Sequence, residues 1–308
     1  MDISIIIPVY FNEGSIEKTY TMLQKEIFNV FADLKFEVIF IDDGSADGSF
    51  EEIMRIKNAH ENIRVIQFSR NFGQVAAIFA GYELAQGNGI LNIAADLQEP
   101  LELIKDLILS FKKKEAPIVL GQRIDRDESM FRKLSSRFFY RLMRKLSFSN
   151  MPDGGFDVAV ISDEVRDSIL ELNESNPFWQ GQILWTGYPV KFIPYKRQKR
   201  EAGTSKWTFS KKIKYLLDGV LNYSYAPLRL FSVIGIISFL LGLIYSTVII
   251  IQYFMGDSPF EGWAPIMIVV LLFSGLQLLV LGLIGEYLWR TLEQTKNRPK
   301  FIIKRKVI

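Results

Sequence analysis

Two long apolar runs near the C-terminal end constrain the fold of this 308-residue chain more than any other feature. They cover Leu230–Phe254 and Ala264–Trp289, and each exceeds the roughly 20 residues that a helix needs to cross a hydrocarbon core. Two buried helices of a soluble protein are the alternative. That alternative is disfavoured because the runs carry almost no charge and lack the polar stripe of a surface helix. The sequence therefore predicts two membrane spans.

The charges around these runs predict the orientation of the chain. The connection Met255–Gly262 contains acidic but no basic residues, whereas basic residues gather beyond the other two ends. The basic residues are Arg229, Arg290, Lys296, Arg298, Lys300, Lys304, Arg305 and Lys306. Because basic flanks remain in the cytoplasm, both termini are expected there and the protein is expected to be a multi-pass inner-membrane protein. Met1–Val9 reads as a strand, with no secretory signal before it.

Strand-like and helix-like segments alternate through the first 120 residues. The predicted strands are Ile3–Val9, Phe36–Ile41, Ile63–Phe68, Ile90–Ala95 and Ile118–Leu120. The predicted helices are Ile16–Asp33, Ser49–Lys57, Gln74–Gln86 and Leu101–Lys113. Such alternation predicts an α/β domain with a mostly parallel sheet that helices cover on both faces. Ligands of such sheets bind beyond the carboxyl ends of the strands.

Two basic amphipathic segments separate this domain from the membrane spans. Ser129–Ser147 combines apolar residues at helical spacing with dense Lys and Arg, and Phe209–Asn222 repeats the pattern. A surface helix packed on the domain is the alternative, but two nearby spans favour helices that lie in the membrane interface. The expected organisation is a catalytic domain over 1–205 with an interface helix at 129–147. This domain is followed by a juxtamembrane amphipathic helix at 206–227 and by a two-span hairpin with a basic tail at 228–308.

Carboxylates, rather than glycine-rich loops, mark the candidate nucleotide site. The chain has neither G-x-G-x-x-G after the first strand nor G-x-x-x-x-G-K, which disfavours a dinucleotide fold and a P-loop. Asp42 and Asp43 end the second strand. Taken alone, these two residues would indicate only a turn and a helix N-cap. Together with Pro8, Tyr10 and Glu13 at the end of the first strand, they predict a binding site that could hold a ribose hydroxyl, a uracil edge or a metal.

Asp96 and Gln98 follow the fourth predicted strand. Alternate residues of an extended chain share a side, so both side chains could reach one hard cation. A diphosphate leaving group needs such a cation. The alternative is a capped helix start with Pro100 in its first turn. The chain has no cysteine, which excludes disulfides and cysteine-based metal sites.

Eight segments in order along nearly the whole chain resemble the family 2 glycosyltransferases. They match the polyprenyl-phosphate branch, which includes dolichol-phosphate mannose synthase and the bacterial undecaprenyl-phosphate glucosyltransferases. The segments are PVYFNE, DDGSADG, SRNFGQVAAIFAG, AADLQEP, GQR, the Asp153–Asp157 stretch, AGTSKW and GEYLWR. The resemblance implies a glycosyltransferase A-type domain that binds a nucleotide sugar. It also implies inverting transfer of a hexose from a UDP-sugar to undecaprenyl phosphate, with glucose as the first expectation for the hexose. The reaction would take place at the cytoplasmic face of the membrane and would serve the modification of cell-envelope glycans.

The resemblance also assigns roles to individual residues. The uridine would contact Pro8, Tyr10, Glu13, Asp42 and Asp43. A divalent metal, Mg²⁺ or Mn²⁺, would bind Asp96 and Gln98. Many family members have an Asp-x-Asp pair here, but this chain has Ala94 in place of the first Asp. The diphosphate itself would then complete the coordination.

The acceptor phosphate requires cationic partners, because a dianion beside a diphosphate is repelled. Candidates are Arg123, Arg200 and the pair Ser205-Lys206, since guanidinium and ammonium groups bind phosphate. Attraction to anionic lipid is the alternative for Arg200 and Lys206. Asp157 occupies the family's acidic position near the reacting groups. A phosphate monoester has a second pKa of about 6, so the acceptor needs positioning more than deprotonation, and Asp157 is expected to orient the sugar or a cationic partner.

Other functions remain open at this point. A processive polysaccharide synthase is disfavoured because the chain lacks a Q-x-x-R-W motif and has only two predicted spans. A catalytically silent partner of a lipid-sugar flippase is supported only by Ala94. UDP-N-acetylglucosamine is the alternative donor. Expected partners are the donor, the lipid acceptor, the bilayer and further copies of the chain through the membrane helices, and no nucleic acid.

Overall fold

The computed structural model describes residues 1–125, 140–196, 218–255 and 264–308. These residues divide into two compact units. Met1–Gly219 and Arg298–Ile308 form the first unit, and Val220–Asn297 forms the second. The last eleven residues therefore belong to the α/β unit, although the sequence analysis grouped them with the membrane hairpin.

A mixed eight-stranded sheet forms the first unit, in the order β7-β5-β6-β4-β1-β2-β3-β8. Its strands are β1 (Ile3–Val9), β2 (Phe36–Asp42), β3 (Ile63–Phe68), β4 (Gly89–Asn92), β5 (Ile118–Asp125), β6 (Phe156–Ser162), β7 (Val190–Lys196) and β8 (Ile303–Val307). β1 is parallel to β2 and β4, as are β2 to β3 and β5 to β7. The predicted mostly parallel sheet is corrected to a mixed one, because β6 runs antiparallel to β4 and β5, and β8 to β3.

Helices cover both faces of the sheet, as predicted. The first unit includes α1 (Ile16–Leu23), α2 (Ser49–Ala59), α3 (Gln74–Leu84), α4 (Leu101–Lys112), α5 (Asp163–Glu171) and α6 (Trp179–Trp185), whereas α7 (Ala226–Phe254) and α8 (Ala264–Thr295) belong to the second unit. Ile5 and alternate residues of the central strands pack with α1, α2 and α4 in one core. Gly81 of α3 approaches Ile6 on the opposite face so closely that a Cβ would clash. α1 is shorter than predicted, since a π-helical turn follows at Gln24–Phe28.

The C-terminal strand β8 closes the β3 edge of the sheet. The Phe301 ring stacks on Phe68 with centroids 5.0 Å apart, and the backbone N–H of Ser69 donates to Ile302 O at 3.0 Å. Lys300 Nζ lies 4.5 Å from the centroid of the Phe79 ring. The sequence predicted a basic tail here and no strand. Its basic residues are compatible with a strand because an edge strand exposes its side chains, and charged edges discourage pairing with other chains.

The second unit contains α7 and α8, whose apolar side chains are largely exposed. Among the described residues, one helical stretch, Ala226–Tyr245, has the length and composition to cross a membrane. The second predicted span coincides with α8, but the described part of α8 does not meet the same criterion. The hydroxyl of Tyr287 donates to Ser224 O at 3.3 Å and fixes the chain just before α7.

The two predicted interface helices lie largely outside the described residues. Residues 140–146 and 218–223 are helical. Tyr140 and Met143 are buried within the first unit, so this part of the 129–147 segment packs on the domain, as in the alternative considered above.

Candidate active site

The sheet topology brings the predicted site residues that the structure describes to one edge. The carboxyl ends of β1, β2, β4 and β5 lie at the same edge because these strands run in one direction. β6 runs in the opposite direction, so its first residues, including Asp157, lie at this edge as well. Arg200, Ser205 and Lys206 lie outside the described residues.

The loop after β1 is joined to the turn after β2 by hydrogen bonds. The N–H of Phe11 donates to Ser45 Oγ at 3.1 Å, and the N–H of Asn12 donates to Ser49 Oγ at 2.9 Å. Glu13 Oε2 accepts from Gly48 N at 2.9 Å. The loop that carries Glu13 and the turn that follows Asp42 and Asp43 thus belong to one hydrogen-bonded structure. Pro8 and Tyr10 are partly exposed beside it.

Asp42 and Asp43 are buried, and protein donors already contact their carboxylates. Asp42 accepts from Ser45 N at 3.0 Å and from Gln67 Nε2 at 3.1 Å. The donors to Asp43 are Asn71 Nδ2 at 2.9 Å, Phe72 N at 2.6 Å and Gly73 N at 2.9 Å. These bonds fix the turn after β2 and the loop that leads into α3. Both aspartates therefore hold the walls of the site in place.

Gly44 allows these two segments to approach each other. Its φ is +70°, and a Cβ at this position would lie 2.5 Å from the carbonyl carbon of Arg70. A larger residue would combine an unfavourable backbone conformation with a clash against backbone atoms. The turn after β2 therefore depends on glycine at this position.

The segment after β4 turns rather than continuing in extended form. Leu97 has a φ of 43°, so the predicted extended geometry of Asp96 and Gln98 is wrong. The turn is held by Thr19 Oγ1, which donates to Ala95 O at 2.7 Å, and by Glu99 Oε2, which accepts from Ala94 N at 3.3 Å. Asp96 is partly exposed, whereas Gln98 is buried. The described residues contain no group of three or more His, Asp or Glu side chains that could hold a metal ion.

An ion pair joins β5 and β6 at the same edge. The guanidinium of Arg123 contacts the carboxylate of Asp157, whose side chain is 33% exposed against 11% for Arg123. Arg123 Nε also lies 3.4 Å from the hydroxyl of Tyr195 on β7. Asp157 thus has a cationic partner. A phosphate at this edge would meet Arg123 already oriented by the carboxylate.

Three residues that the sequence patterns did not indicate contact this pair or its backbone, namely Tyr195, Asn92 and Gln180. Asn92 Nδ2 donates to Asp157 O at 2.9 Å, and Gln180 donates to Phe156 O. The roles of these residues depend on the insertion of β6 between β4 and β5, which spacing along the chain does not reveal. One sequence signal exists for Asn92, because it is a polar residue at the end of a buried strand.

Comparison with known proteins places this architecture in a family. The model for glycosyl transferase family 2 matches residues 4–170, and the model for the GtrB C-terminal hairpin matches residues 226–290. The putative glycosyltransferase CsbB of Bacillus subtilis is 37% identical, over 98% of this chain and 91% of that protein. The SfII prophage-derived bactoprenol glucosyl transferase of Shigella flexneri is 32% identical, over 99% of this chain and 98% of that protein.

Among solved structures, the mannosyltransferase PcManGT of Pyrobaculum calidifontis, in complex with GDP-Man and Mn²⁺, has a TM-score of 0.47 at 16% identity, over 70% of this chain and 62% of that one. The family match covers more than half of the chain, and the relatives span nearly its whole length. The chain therefore belongs to glycosyl transferase family 2 and is a glycosyltransferase that carries a GtrB-type C-terminal hairpin.

Proposed function

We propose that this enzyme transfers glucose, with inversion, from UDP-glucose to a polyisoprenyl phosphate such as undecaprenyl phosphate. The observation that carries the proposal is the similarity over 99% of the chain to a bactoprenol glucosyl transferase, since bactoprenol is a polyisoprenyl alcohol. The similarity includes the hairpin as well as the α/β unit. The product would be a polyprenyl-phosphate sugar for modification of cell-envelope glycans.

In this proposal the loops after β1 and β2 bind the uridine. Pro8 and Tyr10 offer partly exposed surface to the base, and Glu13 lies beside them on the same loop. Asp42 and Asp43 act through the structure that they hold, because both carboxylates are buried and hydrogen-bonded to protein donors.

We propose that the segment after β4 binds a hard divalent cation together with the donor diphosphate. Asp96 offers a partly exposed carboxylate and Gln98 an amide oxygen, and Mg²⁺ and Mn²⁺ prefer oxygen ligands. Since Ala94 supplies no ligand, oxygens of the donor diphosphate and water would complete the coordination. When bound, such an ion neutralises negative charge on the departing diphosphate.

Transfer itself would be a single displacement at the anomeric carbon. An oxygen of the acceptor phosphate forms the new bond to that carbon, and the bond to the diphosphate of UDP breaks with its electron pair. No proton has to leave the acceptor, because a phosphate monoester is mostly dianionic near neutral pH. Arg123, held by Asp157, positions the phosphate. Arg200, Ser205 and Lys206 are proposed phosphate contacts on the basis of the family resemblance.

The hairpin would hold the enzyme at its lipid substrate. α7 and α8 are proposed to be two membrane spans with both chain ends in the cytoplasm. Their exposed apolar side chains are also proposed to associate with those of further copies of the chain. The basic residues beyond their ends would face anionic lipid.

A transfer assay tests the proposed function. The full chain in membranes is incubated with undecaprenyl phosphate and radiolabelled UDP-glucose, UDP-N-acetylglucosamine or UDP-galactose, with Mg²⁺, Mn²⁺ or EDTA. Label should enter the lipid phase from UDP-glucose, disappear with EDTA and be absent for an Asp96→Ala variant. Label from UDP-N-acetylglucosamine alone would refute glucose as the donor sugar. Folded enzyme without label from any donor would favour the silent flippase partner.

A further inference from the structure

Two buried side-chain amides hold the peptide that carries Asp157. Asn92, the last residue of β4, donates from Nδ2 to Asp157 O at 2.9 Å. Gln180, in the first turn of α6, donates from Nε2 to the neighbouring carbonyl, Phe156 O. Both side chains are only 4% exposed. Two elements that are distant in sequence therefore converge on one peptide group.

These amides donate hydrogen bonds to the part of β6 that lies beyond the end of β4. Pairing between β4 and β6 stops at Asn92 and Ala159, so the first residues of β6 extend beyond β4. On the other side, the register between β5 and β6 shifts between Leu120 and Gln122. Buried carbonyl groups need hydrogen-bond donors, and here side chains supply them. These two side-chain donors restrain the start of β6 on this side.

Each amide leaves its own oxygen without a hydrogen-bond partner. Asn92 Oδ1 and Gln180 Oε1 are buried, and neither has a partner in the part of the chain that the structure describes. An apolar residue would remove that unsatisfied oxygen but would also remove a donor to a backbone carbonyl. The two costs are of the same kind, so the amides contribute little net stability. With an apolar residue, the Phe156–Asp157 peptide would no longer be fixed in its position by this side-chain hydrogen bond.

We propose that Asn92 and Gln180 are positioning residues for glycosyl transfer. They fix the backbone of Asp157, and its carboxylate then holds the Arg123 guanidinium at the carboxyl edge of the sheet. The inference rests on the proposed function, in which Arg123 positions the acceptor phosphate. Displacement of a positioning group by about 1 Å can reduce a rate by about 100-fold.

The chain offers a matched control for Gln180. Gln182 lies on the same helix and is fully buried, and neither atom of its amide has a partner among the described residues. Gln182→Met therefore removes a buried amide of the same kind without releasing a carbonyl group. It should leave transfer unchanged, whereas Gln180→Met and Asn92→Leu should reduce it.

The test measures transfer of glucose to undecaprenyl phosphate by the full-length variants, alone and combined with Asp157→Asn. Gln180→Met should lower kcat by about 10- to 100-fold, with the KM for UDP-glucose and the melting temperature close to those of the wild type. In the Asp157→Asn background, Gln180→Met should lower kcat by less than about twofold, because the group that it positions is already altered.

Two results would overturn the inference. One is an equal loss of kcat from Gln180→Met in both backgrounds. The other is an equal loss from Gln182→Met, which would indicate a general packing effect. Failure of the proposed function is a separate outcome, because the wild-type enzyme would then transfer no glucose, and the inference would fail with it.

Discussion

Asp43→Asn probes how the two loops around the proposed nucleotide site are held. Asp43 is 3% exposed, and among the described residues Phe72 N donates to its Oδ1 while Asn71 Nδ2 and Gly73 N donate to its Oδ2. Asparagine keeps one acceptor oxygen and replaces the other by an NH₂ group. That NH₂ group would face Phe72 N in one orientation, or Gly73 N and Asn71 Nδ2 in the other. Either orientation places donors against donors.

The expected cost follows from these bonds. A hydrogen bond to a charged group contributes about 1.5–3 kcal/mol, and the substitution removes one or two. We expect the free energy of unfolding to fall by about 2–4 kcal/mol. For a unit of this size, about 2–4 °C of melting temperature corresponds to each kcal/mol, so the melting temperature should fall by about 5–15 °C. Asp47→Asn is the control, since Asp47 is partly exposed and its bonds are longer, at 3.2 and 3.4 Å.

Thermal melting of full-length protein in detergent, with UDP titrated in parallel, checks this expectation. Asp43→Asn should melt well below both wild type and Asp47→Asn, and saturating UDP should partly restore its stability. A melting temperature equal to that of the wild type, together with lost UDP binding, would refute the reasoning. The carboxylate would then act on the ligand rather than on the loop.

Four further predictions concern other parts of the chain. Glu52→Gln replaces by an NH₂ group one of two buried carboxylate oxygens that each accept a backbone N–H near the start of α1, and it should lower the free energy of unfolding in urea by about 1–3 kcal/mol. Deletion of Ile303–Ile308 uncovers the β3 edge and should cause aggregation that light scattering detects. Burial lowers the pKa of Lys300, so the folded protein loses this proton at a lower pH than the unfolded chain does. The free energy of unfolding should therefore rise with pH between the folded and unfolded pKa values. Lys300→Met should remove this rise in melting experiments across the same pH range. Ala94→Asp adds a carboxylate and should lower the metal concentration for half-maximal transfer about 10-fold.

The first four strands and the helices between them could be predicted from the sequence because their signals are local. Apolar runs such as Ile3–Val9 end in turn residues, and the helices between them show regular apolar spacing. β6, β7 and β8 are not among the predicted strands. The composition of β8 is basic, and only its pairing with β3 identifies it as part of the sheet.

The position of the candidate site residues at one edge of the sheet could be predicted from the strand ends, but the contacts of their individual atoms could not. Parallel strands place Asp42, Asp43 and Asp96 at one edge whatever their side chains contact. Which carboxylate oxygens are already occupied depends on residues far along the chain, as with Asp43 and Gly73. The turn at Leu97 could not be predicted either, because a positive φ is rare for leucine and no neighbouring residue indicates it.

The most direct test of the central claim is mass spectrometry of the lipid product. Wild-type enzyme, UDP-glucose, undecaprenyl phosphate and Mg²⁺ are incubated together, with Asp96→Ala enzyme as the control. We expect undecaprenyl phosphate carrying one hexose in the wild-type reaction and none in the control. Unmodified lipid from folded wild-type enzyme, or lipid carrying a chain of several hexoses, would contradict it.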